Sequence, residues 1–279
     1  MPALIQEAKS CLAGLSACAR KKLGQNFMIR ENELAFMADS MRWSEGESVL
    51  EIGPGLGFLT RALIQRKLKV MAVEKDRRYA GFLEDYFRGQ AFRVFEQDIL
   101  EIDLEKNLGI TSPIRVIGNI PYAITSPILQ WLIRQRKLIR EAVLTTQWEV
   151  ADRLTAGPCV KSRGSLSIFV QLYANIKLIK KISSTSFYPI PKVDSAVIKI
   201  EFLEQPRFEI RDEENFFKLV RRAFQKRRKT LLNALADERL KNCSKPALMK
   251  AFEKAAIDPR RRGETLTLEE WVRLYRLIA

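Results

Sequence analysis

The chain has 279 residues, 47% of them apolar, and carries 48 Lys and Arg against 33 Asp and Glu, a formal net charge of +15. These totals fit one large domain plus a small one, or two modest domains, and exclude disordered and fibrous classes. No histidine is present, which removes the commonest general base and metal ligand, and the positive balance points to a polyanion such as nucleic acid as partner.

In chain order, the first segment is C-L-A-G-L-S-A-C-A (11–19). It precedes Arg20-Lys21-Lys22 instead of following a basic cluster, so a secretory signal is not expected. An amphipathic first helix using Leu12 and Leu15 is the better reading. No apolar run is long enough to span a bilayer. Cys11, Cys18, Cys159 and Cys243 are scattered without a C-x-x-C pair, so neither a zinc site nor a disulfide framework is expected. Free thiols, no metal, no membrane and a reducing cytoplasm follow.

S-V-L-E-I-G (48–53) reads as a buried strand ending in glycine, followed by K-V-M-A-V-E-K (69–75), F-R-V-F-E-Q-D (92–98), I-R-V-I-G-N-I (114–120) and A-V-L-T-T-Q (142–147). Helical patterns such as 58–66 and 79–87 lie between them. Strand and helix alternate, which predicts a parallel sheet with helices on both faces. Residues 173–182 and 195–202 are strand patterns with no clear helix between them, which fits an antiparallel sheet edge. After Pro206 the strand signal stops and the pattern is helical. The expected fold class is α/β followed by a small all-α domain.

E-I-G-P-G-L-G (51–57) sits between the first buried strand and the first helix of the alternation. Gly53, Gly55 and Gly57 permit positive φ and close approach of a ligand to backbone. The spacing is G-x-G-x-G, so the dinucleotide fingerprint fails at its third glycine. Glu74 ends the next strand, where a carboxylate can accept ribose hydroxyls. Asp98 ends the third, placed for an adenine amino group, and Asn119 ends the fourth. Each alone fits a turn or cap. Together, at the carboxyl ends of successive strands, they line one crevice and point to S-adenosyl-L-methionine.

G-Q-N-F (24–27), E-I-G-P-G-L-G (51–57), V-E-K-D (73–76), E-Q-D (96–98), N-I-P-Y (119–122), F-Y-P-I-P-K-V-D-S-A-V (187–197) and F-Q-K-R-R-K-T-L (224–231) occur in this order. This set resembles the ribosomal RNA adenine dimethyltransferases, the family whose loss gives kasugamycin resistance. The resemblance implies a class I methyltransferase fold with a seven-stranded sheet. It implies S-adenosylmethionine as cofactor and methyl transfer to N6 of two adjacent adenosines near the 3′ end of small-subunit rRNA. It places cofactor contacts at Asn26, Met28, Gly53, Glu74, Asp98 and Asn119, with Gln25, Gly55, Lys75 and Ile99 beside them in the same motifs. It divides the chain into a catalytic domain, 1–203, with an N-terminal extension over 1–20, and a helical RNA-binding domain, 204–279. The sequence departs from the family pattern at Ala123, Trp148 and Arg163, all outside the core motif.

N-I-P-Y suits an adenine amine, whose lone pair is delocalised into the ring. The Asn119 side-chain oxygen and the Ile120 carbonyl can accept both N–H groups and localise that lone pair. Pro121 restricts the backbone, and Tyr122 and Phe187 are the candidate stacking faces for a base taken out of its stack; ordinary core packing is the commoner use of an aromatic. K-L-V-R-R-A-F-Q-K-R-R-K (218–229) reads as a basic helix with Phe217, Val220, Phe224 and Leu231 toward the core. Arg221, Arg222, Lys226, Arg227, Arg228 and Lys229, with Arg260 and Arg261, are the candidate RNA phosphate contacts. The expected partner is small-subunit rRNA or an assembling small subunit, met by a monomer. Two alternatives stay open: a large-subunit rRNA adenine methyltransferase of the macrolide-resistance type, and a non-catalytic RNA-binding assembly factor on the same scaffold.

Overall fold

The computed structural model describes residues 3–15, 25–236 and 243–278. Its elements, in chain order, begin with α1 (Ala3–Gly14), β1 (Phe27–Met28), α2 (Glu31–Asp39), β2 (Ser48–Ile52), α3 (Phe58–Ile64), β3 (Lys69–Glu74) and α4 (Arg77–Tyr86). Next come β4 (Phe92–Glu96), α5 (Leu104–Leu108), β5 (Ile114–Gly118), α6 (Thr125–Arg134), β6 (Ile139–Gln147), α7 (Trp148–Thr155) and α8 (Ser165–Tyr173). Then follow β7 (Ala174–Ile182), β8 (Phe187–Tyr188), β9 (Ser195–Phe202), α9 (Glu213–Gln225), α10 (Leu231–Leu235), α11 (Lys245–Lys254) and α12 (Leu268–Ile278).

The main sheet has seven strands in the order β4-β3-β2-β5-β6-β9-β7. The pairs β4·β3, β3·β2, β2·β5 and β5·β6 are parallel, and β9 runs antiparallel to β6. This is the doubly wound sheet with an antiparallel edge that the strand pattern predicts. The central strands are apolar without alternation because both faces are covered: Val49, Leu50, Val116, Ile117, Ala142, Val143 and Leu144 are fully buried. Chain order reverses between β2 and β5, so the crevice at their carboxyl ends is the natural ligand site. Gly118, the last residue of β5, lets these strands meet there; a Cβ on it would sit 2.7 Å from the Ile52 carbonyl oxygen.

Two compact units make up the chain: Met1–Ala151 with Lys177–Phe202, and Asp152–Ile176 with Leu203–Ala279. The sequence reading placed the division at residue 204 alone. In the structure residues 152–176, which contain α8, group with the C-terminal helices. The physical reason is apolar: the Phe169 and Phe217 rings pack with centroids 3.8 Å apart.

In the first unit, α1 buries Leu4, Ala8 and Leu12, one helical face, and Glu7 pairs with Arg61 of α3 at 2.8 Å. The expected use of Leu12 holds; Leu15 lies just past the helix and is half-buried, and residues 16–19 fall outside the described residues. In the second unit, α9 is capped by Asp212, whose side chain accepts from the Asn215 N–H. It buries Phe216, Phe217, Val220, Ala223 and Phe224. Leu231 is also buried, as expected.

The basic segment departs from its expectation. α9 ends at Gln225, Lys226–Lys229 form a turn, and Thr230 caps α10. The run Lys226-Arg227-Arg228-Lys229 is therefore a charged turn between helices, not the continuation of a helix face. Among the described residues no helix is long and apolar enough to cross a membrane, and no cluster of His, Cys, Asp or Glu could hold a metal ion.

Candidate active site

A cavity opens in the first unit at the carboxyl ends of β2, β3, β4 and β5. Its floor is the loop after β2. Gly55 adopts φ +58°, and a Cβ there would meet the Phe27 ring at 2.8 Å, so only glycine fits. The Gly55 N–H donates to the Glu74 carboxylate at 3.2 Å, tying the loop to the end of β3. The other Glu74 oxygen accepts from the Asp76 N–H at 2.9 Å. Glu74 is nearly buried, and that burial raises its pKa against the opposing backbone hydrogen bonds.

Asp98 follows β4. One oxygen accepts from the Leu100 N–H at 3.0 Å and the other from the Lys75 ammonium at 2.6 Å. Burial pushes its carboxyl up, but the Lys75 hydrogen bond, the Leu100 N–H and the lysine charge together hold it below the usual range. Lys75 itself is largely exposed. Ile99 and Gln97 flank Asp98 on the cavity wall.

Asn119 follows Gly118. Its Nδ2 donates to the Asn26 carbonyl at 2.9 Å, and its Oδ1 accepts from the Thr145 hydroxyl at 2.6 Å. Pro121 has φ −60° and ψ 132°, and the Ile124 N–H donates to its carbonyl at 3.1 Å. This closes a single turn over Tyr122–Ile124 that carries Tyr122 to the rim. The Tyr122 hydroxyl lies 2.5 Å from Ser195 Oγ at the start of β9, which fixes its ring, and burial pushes its pKa up. Ala123, one of the departures from the family pattern, is exposed.

The expected cofactor residues Gln25, Asn26, Met28, Gly53, Gly55, Glu74, Lys75, Asp98 and Ile99 all line this cavity, as do Asn119, Ile120, Pro121 and Tyr122. Phe187 does not. It is 1% exposed and registers opposite Met28 in the β1·β8 pair, inside the hydrophobic core. Its ring packs, which is the commoner fate of an aromatic. Gly24 of the G-Q-N-F motif lies outside the described residues.

Four residues escaped the sequence reading. Glu51 lines the cavity from within β2 and is 1% exposed; the Thr60 hydroxyl donates to it at 2.7 Å. Burial, added to the charge of Glu74 and opposed by the Thr60 hydrogen bond, leaves its carboxyl pushed up to about 8. A lone acid inside the apolar run S-V-L-E-I was the available signal. Thr60, Thr145 and Ser195 act only through residues distant in sequence, and nothing local announces them.

The expected RNA contacts separate in the second unit. Arg221, Lys226, Arg228 and Lys229 are exposed. Arg260 is exposed and pairs with Asp258 at 3.2 Å. Arg222 donates to the Ala236 carbonyl at 2.9 Å. Arg227 donates to the carbonyls of Lys161 and Arg163. Arg261 is held by Glu270 at 2.6 Å and by the Thr265 carbonyl at 2.7 Å. The last three bind their own fold. Arg163, another departure, is buried with its guanidinium on the Glu264 and Leu266 carbonyls, and burial pushes it down to about 10. Trp148 carries the Lys181 ammonium 5.0 Å above its ring.

Two acceptors, Glu74 and Asp98, face the cavity at successive strand ends. That lining suits a ligand that donates hydrogen bonds, as the hydroxyl and amino groups of S-adenosylmethionine do. Doubly wound sheet, glycine loop and acidic strand ends together define an S-adenosylmethionine-dependent methyltransferase. The model of the family described as ribosomal RNA adenine dimethylase matches residues 17–279, and the chain belongs to that family. It is 40% identical over 255 residues to the ribosomal RNA small subunit methyltransferase A of Clostridium botulinum, covering 91% of this chain and 92% of the relative. To the protein of the same name from Alkaliphilus oremlandii it is 41% identical over 255 residues, covering 90% and 88%. Among solved structures, a dimethyladenosine transferase from Plasmodium falciparum superimposes with TM-score 0.71 at 25% identity, covering 88% of this chain and 93% of that one. The 23S rRNA methyltransferase ErmE gives TM-score 0.67 at 26% identity, covering 91% and 99%.

Proposed function

We propose that this enzyme transfers methyl groups from S-adenosylmethionine to N6 of two adjacent adenosines near the 3′ end of small-subunit rRNA, giving N6,N6-dimethyladenosine during ribosome assembly. The observation that carries the reading is the joining of Asn119 and the Ile120–Pro121–Tyr122 turn to the same cavity as Glu74 and Asp98. Relatives named for the small subunit, at about 40% identity over most of the chain, favour that RNA over the large-subunit target.

When bound, the cofactor supplies a methyl group on a cationic sulfur. Glu74 would accept hydrogen bonds from the ribose hydroxyls, and Asp98 would accept one from the adenine amino group of the cofactor. Asn119 Oδ1 and the Ile120 carbonyl accept the two N–H groups of the target amine and draw its lone pair out of the ring. Tyr122, fixed by Ser195, gives the base a flat wall. Methylation makes the nitrogen acidic, so its proton leaves to water and no histidine is needed. Holding the target amine in place for transfer would supply much of the rate.

Arg221, Lys226, Arg228, Lys229 and Arg260 are the proposed phosphate contacts, carried by the helical unit. The enzyme is read as a monomer acting in the cytoplasm, where the RNA is assembled. The test is transfer of labelled methyl groups to unmethylated small and large subunits. Labelling of the small subunit alone is expected; labelling of the large subunit alone refutes the reading.

A further inference from the structure

We propose that Thr145 is a positioning residue for methyl transfer. Its hydroxyl, with the Asn26 carbonyl, locks the Asn119 amide so that Oδ1 keeps one lone pair for the substrate amine. The proposal rests on the functional reading above and extends it to a residue that touches neither substrate nor cofactor.

The amide orientation follows from donors and acceptors. The Asn26 carbonyl, 2.9 Å from Asn119, can only accept, so the NH2 group must face it. Turning the amide over would set two carbonyl oxygens against each other. Oδ1 then faces Thr145, and having no hydrogen it obliges the hydroxyl, 2.6 Å away, to donate. A carbonyl oxygen has two lone pairs. Thr145 takes one and fixes the direction of the other.

The backbone makes this contact unavoidable. β5 and β6 pair in parallel with Gly118 opposite Leu144, so the next residues along, Asn119 and Thr145, come side by side across the ladder. Thr145 is 0% exposed, so no water competes for its proton. The residue is rigid at χ1, being β-branched. Asn119 is therefore held at both ends of its amide before substrate arrives, the kind of prior placement that hydrogen-bonding catalysis requires.

The second methyl transfer depends on this more than the first. An unmodified amine presents two N–H groups, shared between Asn119 and the Ile120 carbonyl. The monomethylated amine has one. With that single N–H on Asn119, a misdirected Oδ1 leaves the second step no acceptor, whereas the first step keeps the Ile120 carbonyl.

The test compares wild type, Thr145→Val and Thr145→Ser on unmethylated small subunits. Valine keeps the shape and removes the donor; serine keeps the donor. Thr145→Val is expected to lower kcat about tenfold, the rate equivalent of one lost hydrogen bond. Its KM for RNA and its affinity for S-adenosylmethionine are expected to stay at wild-type values and its melting temperature to fall by only a few degrees, with N6-monomethyladenosine accumulating by mass spectrometry. Thr145→Ser is expected to restore kcat and product ratio to within about threefold, since the lost methyl packing is small beside the restored bond. Wild-type kcat and product ratio in Thr145→Val overturn the proposal, as does a Thr145→Ser variant that is stable yet as slow as Thr145→Val. Wild-type protein that labels neither subunit overturns the functional reading and this proposal with it. Wild-type turnover with an unaffected Thr145→Val overturns this proposal alone.

Discussion

Glu51→Gln tests the electrostatics of the cavity floor. The wild-type carboxyl is buried in β2 and pushed up to about 8, from an ordinary 4.5. Its folded-state pKa is raised, so the group contributes stability that is fully present below the unfolded value and is lost as pH rises through the folded one. At 1.36 kcal/mol per pH unit, the full loss between those values is about 5 kcal/mol, of which about 3 kcal/mol has gone by pH 7. Glutamine has the same shape and no charge, so its stability has no such slope. Urea unfolding of both proteins from pH 5 to 8 is the assay. The wild-type free energy is expected to fall relative to the variant by up to about 1.4 kcal/mol per pH unit across this window. Parallel curves would refute the argument that Glu51 is protonated in the resting fold.

Asn119→Ala is expected to abolish methyl transfer while leaving RNA affinity within a fewfold of wild type by filter binding; near-normal turnover would sink the proposed chemistry. Asp98→Ala should weaken S-adenosylmethionine by about 1.5–3 kcal/mol in isothermal titration, the cost of losing an ionised hydrogen-bond acceptor. Replacing Arg221, Lys226, Arg228 and Lys229 by Gln should reduce the slope of log affinity against log salt by about 3 for single-stranded RNA. Arg222→Gln and Arg261→Gln should leave that slope unchanged and lower stability instead, because their guanidinium groups bind their own unit. Gly118→Ala should cost about 1–3 kcal/mol in urea unfolding, since its Cβ would crowd the Ile52 carbonyl.

The sheet was legible because its central strands are covered on both faces. Val49, Leu50, Val116, Ile117 and Val143 then appear in apolar stretches without polar alternation. The cavity was legible because a parallel sheet brings the ends of its strands together, so Glu74, Asp98 and Asn119 could be gathered from three separate motifs. Tertiary contacts between motifs were not legible. Thr145 meets Asn119 through the register of β5 on β6, which no local pattern states. Tyr122 follows Pro121 and Phe187 stands two residues before Pro189, yet one is rim and the other core, a difference set by pairing of Phe187 with Met28. The basic segment misled for another reason. Lys and Arg are good helix formers, so the pattern runs on past Gln225, while the stop lies in the capping preference of Thr230.

The discontinuous second unit sets a rule for exchanging parts between relatives. Cutting at residue 203 would strand α8: Phe169 would lose the Phe217 ring, and the Gln171 carbonyl would lose the Arg207 side chain that donates to it at 2.9 Å. A chimera that takes only the C-terminal stretch therefore inherits half of a core. One that also takes residues 152–176 inherits a whole one. The helical unit is a single physical module written in two separated lengths of the chain, and it is transferable only as both.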